Sequence, residues 1–503
     1  MPDEEIPVLI IGGSLVGLTT AMLLGHHGVR SLSVERHAGT AIHPRAGHFQ
    51  LRTMETIRQM GLEDRVRTKS LETYSATGGI IAVESLAGRE LATYVKELNE
   101  GVEGFSPTVR VFINQDALEP ILRERAIELG ATVRNRTEAV DLDQDDDGVT
   151  ATLRDLDSGT ESTVRAQYVV AADGNRSPTR ARLGIGMRGH EELSRSITIY
   201  FRADCAELLR DRNQGVIYVH NPELRGFFRL DRSGGTGFLV INTVGADVTQ
   251  DSAVDVQSGL TTERALAYLR TAIGADMPME IVDVANWRAE ATCAERLRDG
   301  RVFLAGDAAH VVPPNGGFGG NMGIQDALNL SWKLAAVVKG DAGPGLLDSY
   351  ETERRPVAEQ VLTLTRAQSV LIDPEPGPRA VRTLLAELME VDGVGLFLAE
   401  QVSGTGIRYD LGTGPELLGR RLRDLPLPHG RLYEQLRDGR GLLLDRTGRL
   451  TVAGWTDRVG LVADAALPIG EAAVLLRPDG YIAWIGDDQQ ELEQRLQRWF
   501  GTD

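Results

Sequence analysis

Residues 7–36 read PVLIIGGSLVGLTTAMLLGHHGVRSLSVER, and this stretch constrains the fold more than any other. A short apolar run enters a glycine-rich turn, apolar residues follow at helical spacing over 15–28, and a second strand ends at the acidic Glu35. Such a strand–turn–helix–strand unit belongs to an α/β domain built on a parallel sheet. The turn nearly spells the dinucleotide fingerprint G-x-G-x-x-G, with Gly12 first and Gly17 last, but Ser14 stands where the second glycine belongs. That glycine normally lets the backbone approach a pyrophosphate. Serine is small, and its hydroxyl can donate to a phosphate oxygen, so the turn Gly12-Gly13-Ser14-Leu15-Val16-Gly17 is read as a working variant. Glu35 lies 18 residues beyond Gly17, close to where an acid meets a ribose hydroxyl, with Arg36 beside it.

The rest of the chain extends this unit. Residues 115–130 have the pattern of an amphipathic helix, and strand signals follow at 131–142 and 149–154, joined by the solvated turn DQDDDG at 143–148. QYVVAADG (167–174) is a buried type of strand ending in a turn. From about 184 to 285 the texture changes to strand-like stretches such as SITIYF, GVIYVH, GFFRL and GFLVINTV, as expected of a separate sheet inserted into the first domain. RVFLAGDAAH (301–310) returns to an apolar strand and 321–339 to a long helix. DPEPGPR marks a linker, with helical material after it, and strand signals resume with GLLLD, VGLVAD and EAAVLLRPDGYIAWIG. The 503 residues suffice for two or three domains.

Composition excludes several classes of function. A formal net charge of −18 argues against nucleic acid or an anionic membrane as partner. The two cysteines, Cys205 and Cys293, form neither a disulfide framework nor a zinc-type cluster, and no metal site is expected. No apolar run approaches the roughly 18–20 residues of a membrane span, and MPDEE runs straight into a strand without a leader pattern. A soluble, cytoplasmic protein is the expectation.

Three separated segments then align: GGSLVG with its Glu35; AADGNRSPTRARLGI with Asp173, Gly174, Ser177 and Arg180; and RVFLAGDAAHVVPPNGGFGGNMGIQDALNLSWKLA at 301–335. In this order they resemble the FAD-dependent aromatic hydroxylases, single-component flavoprotein monooxygenases of the p-hydroxybenzoate hydroxylase fold. The likeness is greatest to the branch of phenol and polyketide-tailoring hydroxylases, and it covers essentially the whole chain. It implies an α/β Rossmann-like FAD-binding domain (1–183 and 284–370) with an inserted β-sheet substrate domain (184–283, joined by part of 75–105). A thioredoxin-like C-terminal domain (395–503) follows, without cysteine and so suited to packing or homo-oligomerisation rather than thiol chemistry.

The resemblance also implies roles. Arg45, Arg110 and Gln115 fall among the flavin contacts, and Asp173 sits in the motif tied to the nicotinamide and flavin pyrophosphate. Asp307 is expected beside the ribityl chain. The glycine-rich run Pro314, Gly317, Gly319, Gly320, Asn321 and Met322 lets the backbone meet the isoalloxazine ring, with a helix starting near Asn321 whose positive end faces the pyrimidine edge. Phe318 and Gly320 depart from the family, which commonly has Gln and Met there. His310 is read as a packing residue. Tyr200, Tyr218, Phe228, Trp287 and Pro314 are candidates to line the substrate cavity, and no residue is singled out as a catalytic base. The implied reaction uses NADPH or NADH and O2: the reduced flavin forms a C4a-hydroperoxide, whose distal oxygen is attacked by an aromatic, phenolic or polyketide-type substrate. Alternatives on the same scaffold are a flavin-dependent halogenase, whose W-x-W-x-I-P signature is absent, a reductase, or an FAD-fold binding protein without catalysis.

Overall fold

The computed structural model describes residues 2–42, 46–76, 78–102, 104–210, 212, 215–243, 261–371 and 376–503. Its first sheet is built around four parallel pairings: Glu4–Ile11 lies between Glu161–Ala171 and Ser31–Glu35, which in turn carry Val302–Leu304 and Thr132–Asn135 on their outer sides. Strands buried on both faces need continuous apolar runs, and Val8, Leu9 and Ile10 are fully covered. The helix Leu15–His26 is apolar on nearly every side because it is sandwiched between this sheet and the long helix Phe318–Val338. That long helix starts three residues before the expected Asn321.

The single strand expected over 131–142 is two strands, Thr132–Asn135 and Thr137–Gln144. Arg136 separates them in a left-handed conformation (φ 55°), held by Asp157 Oδ1 at 2.9 and 2.7 Å from its guanidinium. The break lets the chain leave the parallel sheet and form a hairpin with Val149–Asp155. Asp145 closes the turn of that hairpin by accepting the N–H groups of Asp147 and Gly148.

The inserted sheet runs beyond residues 184–283 at both ends. Its eight strands run His310–Val311, Met279–Ala294, Met187–Ala203, Thr236–Thr243, Arg225–Leu230, Val216–His220, Ile80–Val83 and Glu90–Val95. The 80–95 hairpin thus completes one edge through a parallel pairing with Val216–His220, and Met279–Ala294 carries the sheet past position 283 into the first domain. One face packs on the helix Thr262–Ile273 through Ile197, Ile199, Phe201, Ile217, Val219 and Leu239.

The C-terminal unit has the thioredoxin-like arrangement of a four-stranded sheet, ordered Val459–Ala463, Gly441–Asp445, Ala473–Leu476 and Ile482–Gly486, with Gln489–Phe500 packed on it. It shares one apolar core with Trp332 of the long helix. Among the described residues no helix is long and apolar enough to cross a membrane.

Candidate functional site

The glycine turn is crowded in the way its fingerprint requires. A Cβ on Gly17 would sit 1.8 Å from the Gly12 carbonyl oxygen, and one on Gly12 would sit 2.2 Å from that of Ala172, with φ at +114°. No side chain caps the helix Leu15–His26 and its first turn holds no acid, so its leading N–H groups present an uncompensated positive end. Glu35 is 8% exposed and accepts the N–H of Gly13 at 2.8 Å and of His37 at 2.9 Å, which fixes it beside the turn. Arg36 points to the surface.

Ser14 does not use its hydroxyl as expected. The group donates to Glu119, a fully buried carboxylate, and accepts from Gln115 Nε2 at 3.0 Å. Gln115 also takes part in a two-way pairing with Ala46, accepting from its N–H at 3.3 Å and donating its own backbone N–H to its carbonyl at 2.8 Å. Glu119 closes the ring by accepting the N–H of Ala41 and the amide of Gln115 at 2.7 Å. Sequence reasoning missed Glu119, although its place one helical turn after Gln115 was a readable signal. Arg45 lies outside the described residues. Arg110 is tied to the backbone of Leu98 and the side chain of Asn99.

The second motif is satisfied largely by itself. Asp173 Oδ2 accepts the Thr179 N–H at 3.0 Å, Ser177 accepts that of Arg180, and Arg180 donates to the carbonyls of Asn175 and Ala308. It therefore bolts the turn after Glu161–Ala171 to the third segment, while Asp173 Oδ1 stays buried with no hydrogen-bond partner among the described residues. In that segment Asp307 is exposed within the short turn Gly306–Ala308.

At the head of the long helix, Gly316 and Gly317 both take left-handed φ (76° and 65°), no side chain caps the helix, and its first turn carries no acid. Asn321 braces this end: its Oδ1 accepts from Gln50 N and Thr53 Oγ1, and its Nδ2 donates to the carbonyls of His48 and Gly317. Gly320 packs near Leu15 and Ala46, Gly319 near Val312, and Met322 is buried, while Pro314 is exposed. His310 belongs to a buried cluster below, where Asp326 meets its Nε2 at 2.6 Å and Arg354 Nε at 2.7 Å. Burial alone would raise the Asp326 pKa, but His310 and Arg354 hold it below the ordinary carboxylate value.

The inserted sheet turns its other face toward this helix end. Tyr218 stands across from Phe227, Tyr200 across from Phe238, and Trp287 donates to Thr198 Oγ1 at 3.0 Å on the same side. Phe228 does not line this face: strand alternation sends it into the core above Thr262–Ile273, where it is 0% exposed. The same alternation brings up Arg229, which the sequence reading passed over. Its guanidinium lies over the rings of Tyr74 and Phe112 (4.5 and 5.0 Å) and against Gly47, next to His48. His48 flanks Gly317, has a covered Nε2 without a hydrogen-bond partner among the described residues, and is pushed down to about 3 by burial and by the nearby charges of Arg229 and Arg110.

Two uncapped helix ends, glycines that admit no Cβ, a strand-end acid and an aromatic sheet face thus converge on one side of the parallel sheet. The donors and the glycine cradle fit a flavin dinucleotide, for which Glu35 would face the ribose, the 12–17 turn the pyrophosphate, and residues 46–48 with 316–320 the ring. Comparison with known proteins identifies the family. The family described as FAD binding domain matches residues 5–365, and that described as aromatic-ring hydroxylase, C-terminal, matches residues 415–502. A 4-methyl-5-nitrocatechol 5-monooxygenase from Burkholderia sp. is 47% identical, covering 97% of this chain and 96% of that protein. A rifampicin monooxygenase from Streptomyces venezuelae is 42% identical, covering 98% of each. Among solved structures, a ternary complex of aklavinone-11 hydroxylase with FAD and aklavinone superposes with a TM-score of 0.85 at 32% identity, covering 99% of this chain and 100% of that one.

Proposed function

Since the chain belongs to the FAD-dependent aromatic-ring hydroxylases, we propose that it uses NAD(P)H and O2 to place one oxygen atom on an electron-rich phenolic ring. The balance is ring C–H plus O2, NAD(P)H and a proton, giving ring C–OH, water and NAD(P)+. Bound FAD supplies the electron transfer from nicotinamide and the activation of O2. The chain's own residues supply place and polarity. The uncapped end of Phe318–Val338 favours negative charge beside it, and the face bearing Tyr200, Tyr218, Phe227 and Phe238 offers a flat apolar bed for a ring. Only one dinucleotide fingerprint is present, so the nicotinamide binds transiently without a domain of its own. Multi-ring phenols or quinones of polyketide type are the favoured substrates, in keeping with the rifampicin and aklavinone enzymes above.

The observation that carries this reading is the meeting of the aromatic sheet face with the glycine-lined helix end. The test is direct. The purified protein should be yellow, with about one FAD per chain, and should oxidise NADPH faster when a suitable phenol is added, with a hydroxylated product. Halide-dependent product, or NADPH oxidation that no aromatic compound changes, would instead favour the halogenase or reductase reading.

A further inference from the structure

Arg229 is a buried cation that no acid among the described residues accompanies. It is 6% exposed, and neither its Nε nor its Nη2 has a hydrogen-bond partner among the described residues. Its contacts are two ring faces and the Cα side of Gly47, where a Cβ would lie 1.7 Å from Nη1. Gly47 is thus small because the guanidinium occupies the space. A covered guanidinium with idle donors is costly unless an anion completes it.

The described groups around it do not supply that anion. From the short strand His48–Phe49 comes a neutral imidazole, and from the segment before Val111–Phe112 comes a second cation, Arg110. From the end of the helix Glu63–Thr73 comes the Tyr74 phenol, which donates to Asn114 Oδ1 at 2.6 Å and is held protonated by burial. Two carboxylates bear on Tyr74 from further out, Asp116 and Asp231. Asp231, two residues on from Arg229, is committed to its own turn, accepting from Ser233, Gly235 and Thr236. Asp116 has a partner of its own.

Arg229 also stands in the right place. It is the direct cross-strand partner of Phe238, so its side chain rises from the aromatic face of the sheet, against Gly47 and near His48, which flanks Gly317. We propose that Arg229 recognises the aromatic substrate through an ionised ring oxygen, a phenolate or catecholate, and so gives the enzyme a preference for acidic phenols. This rests on the hydroxylase reading above. The substrate enters already ionised, its proton left in bulk water, and the guanidinium fork takes the oxygen through Nε and Nη2. An ionised oxygen feeds electron density into the ring, which is the property the proposed oxygen transfer needs. His48 Nε2, neutral and without a hydrogen-bond partner among the described residues, is a second group for an adjacent hydroxyl, which favours a catechol-type pair over an isolated phenol.

The probes are 4-nitrocatechol, whose ionised form absorbs in the visible and whose protonated form does not, and catechol, which stays un-ionised at neutral pH. Each is titrated into FAD-loaded wild type, Arg229→Gln and Arg229→Lys, with binding read from the flavin and nitrocatecholate spectra across pH. The wild type should lower the apparent pKa of bound 4-nitrocatechol by about one unit or more relative to free ligand. Arg229→Gln should abolish that shift and weaken 4-nitrocatechol binding by about tenfold or more, with catechol affected by about twofold or less. Arg229→Lys should keep part of the shift, because it keeps the charge and loses the fork. An unchanged ligand shift in Arg229→Gln overturns the proposal. So does loss of FAD from both variants, which would make Arg229 a cofactor or folding residue. Failure of the wild type to hydroxylate any phenol while it still binds ionised ligand through Arg229 would count against the hydroxylase reading alone.

Discussion

At position 14 the backbone is extended (φ −97°, ψ −165°), so a glycine's left-handed freedom is not needed there. What the second fingerprint glycine ordinarily contributes is room, and serine with its hydroxyl turned to Glu119 and Gln115 leaves that room open. The hydroxyl is therefore part of the scaffold beneath the turn. Ser14→Gly should cost about 1 kcal/mol, the net worth of one such hydrogen bond, and leave FAD affinity within roughly tenfold. Ser14→Val should do much worse, because a β-branched side chain crowds the phosphate approach and strands Glu119 without its hydroxyl donor. Titrating FAD into each apoprotein measures both, and equal affinity for Val and Ser would show that the turn stands off from the pyrophosphate.

Between elements, the third motif works as a brace. Asp326 receives His310 and the Gly306 N–H on one oxygen and Arg354 on the other, so the turn at 306–310, the long helix and the helix Asp348–Leu371 meet at one carboxylate. Asp326→Asn should leave Arg354 buried without its counter-charge and lower stability by about 3–5 kcal/mol, read by denaturant unfolding of the FAD-loaded protein. A loss below about 1 kcal/mol would show that the cluster is not holding these elements together. This scale also explains what the sequence made legible. The 7–36 unit, the helix Gln115–Glu128 and the strands of the tail were readable because each carries a local period and local turn residues. The Arg136 break was not, since an arginine in a left-handed conformation is fixed by the distant Asp157. The Arg229 cluster was hidden for a related reason. Residues 47–48, 74, 112 and 229 come from four segments with no common spacing, and only the parity of GFFRL, which sets Arg229 on the face opposite Phe228, hinted at it.

In the whole molecule, the tail is seated through two buried ionic knots as well as through its apolar core. Arg477 meets Glu353 at 2.6 and 3.0 Å and Asp479 at 2.6 Å, and Lys333 of the long helix meets the same Glu353 at 2.9 Å. Arg421 donates to Glu55 on the helix Leu51–Gln59, which also holds Arg52, and Arg52 reaches the Asp479 carbonyl. Burial alone would raise the Glu353 pKa, but Arg477 and Lys333 outweigh it and lower it from 4.5 to about 2. A depressed acid stabilises the fold fully above its unfolded value and loses that contribution as pH falls from 4.5 toward 2. Acid titration should therefore loosen the tail in that window, seen in the fluorescence of the apposed Trp332 and Trp499, and Glu353→Gln should be less stable at neutral pH but flatter in acid. An identical acid profile in that variant would place the sensitivity elsewhere.

The same knots decide what truncation does. Every expected flavin contact precedes residue 340, and the tail holds no cysteine, so chemistry alone would let residues 404–503 be removed. Packing does not. Removal uncovers Trp332 and strips Glu55 of Arg421 and Glu353 of Arg477, breaking both ion-pair clusters. Glu353 and Lys333 lie on the two helices that also meet at Asp326, so the disturbance runs along the long helix toward Asn321 and the glycine cradle. The truncated chain should accumulate as aggregate, and any soluble fraction should hold FAD loosely, measured by flavin absorbance after gel filtration. A truncated protein that stays monodisperse and retains about one FAD per chain would show that the parallel-sheet domain stabilises the long helix unaided and that the knots are incidental to it.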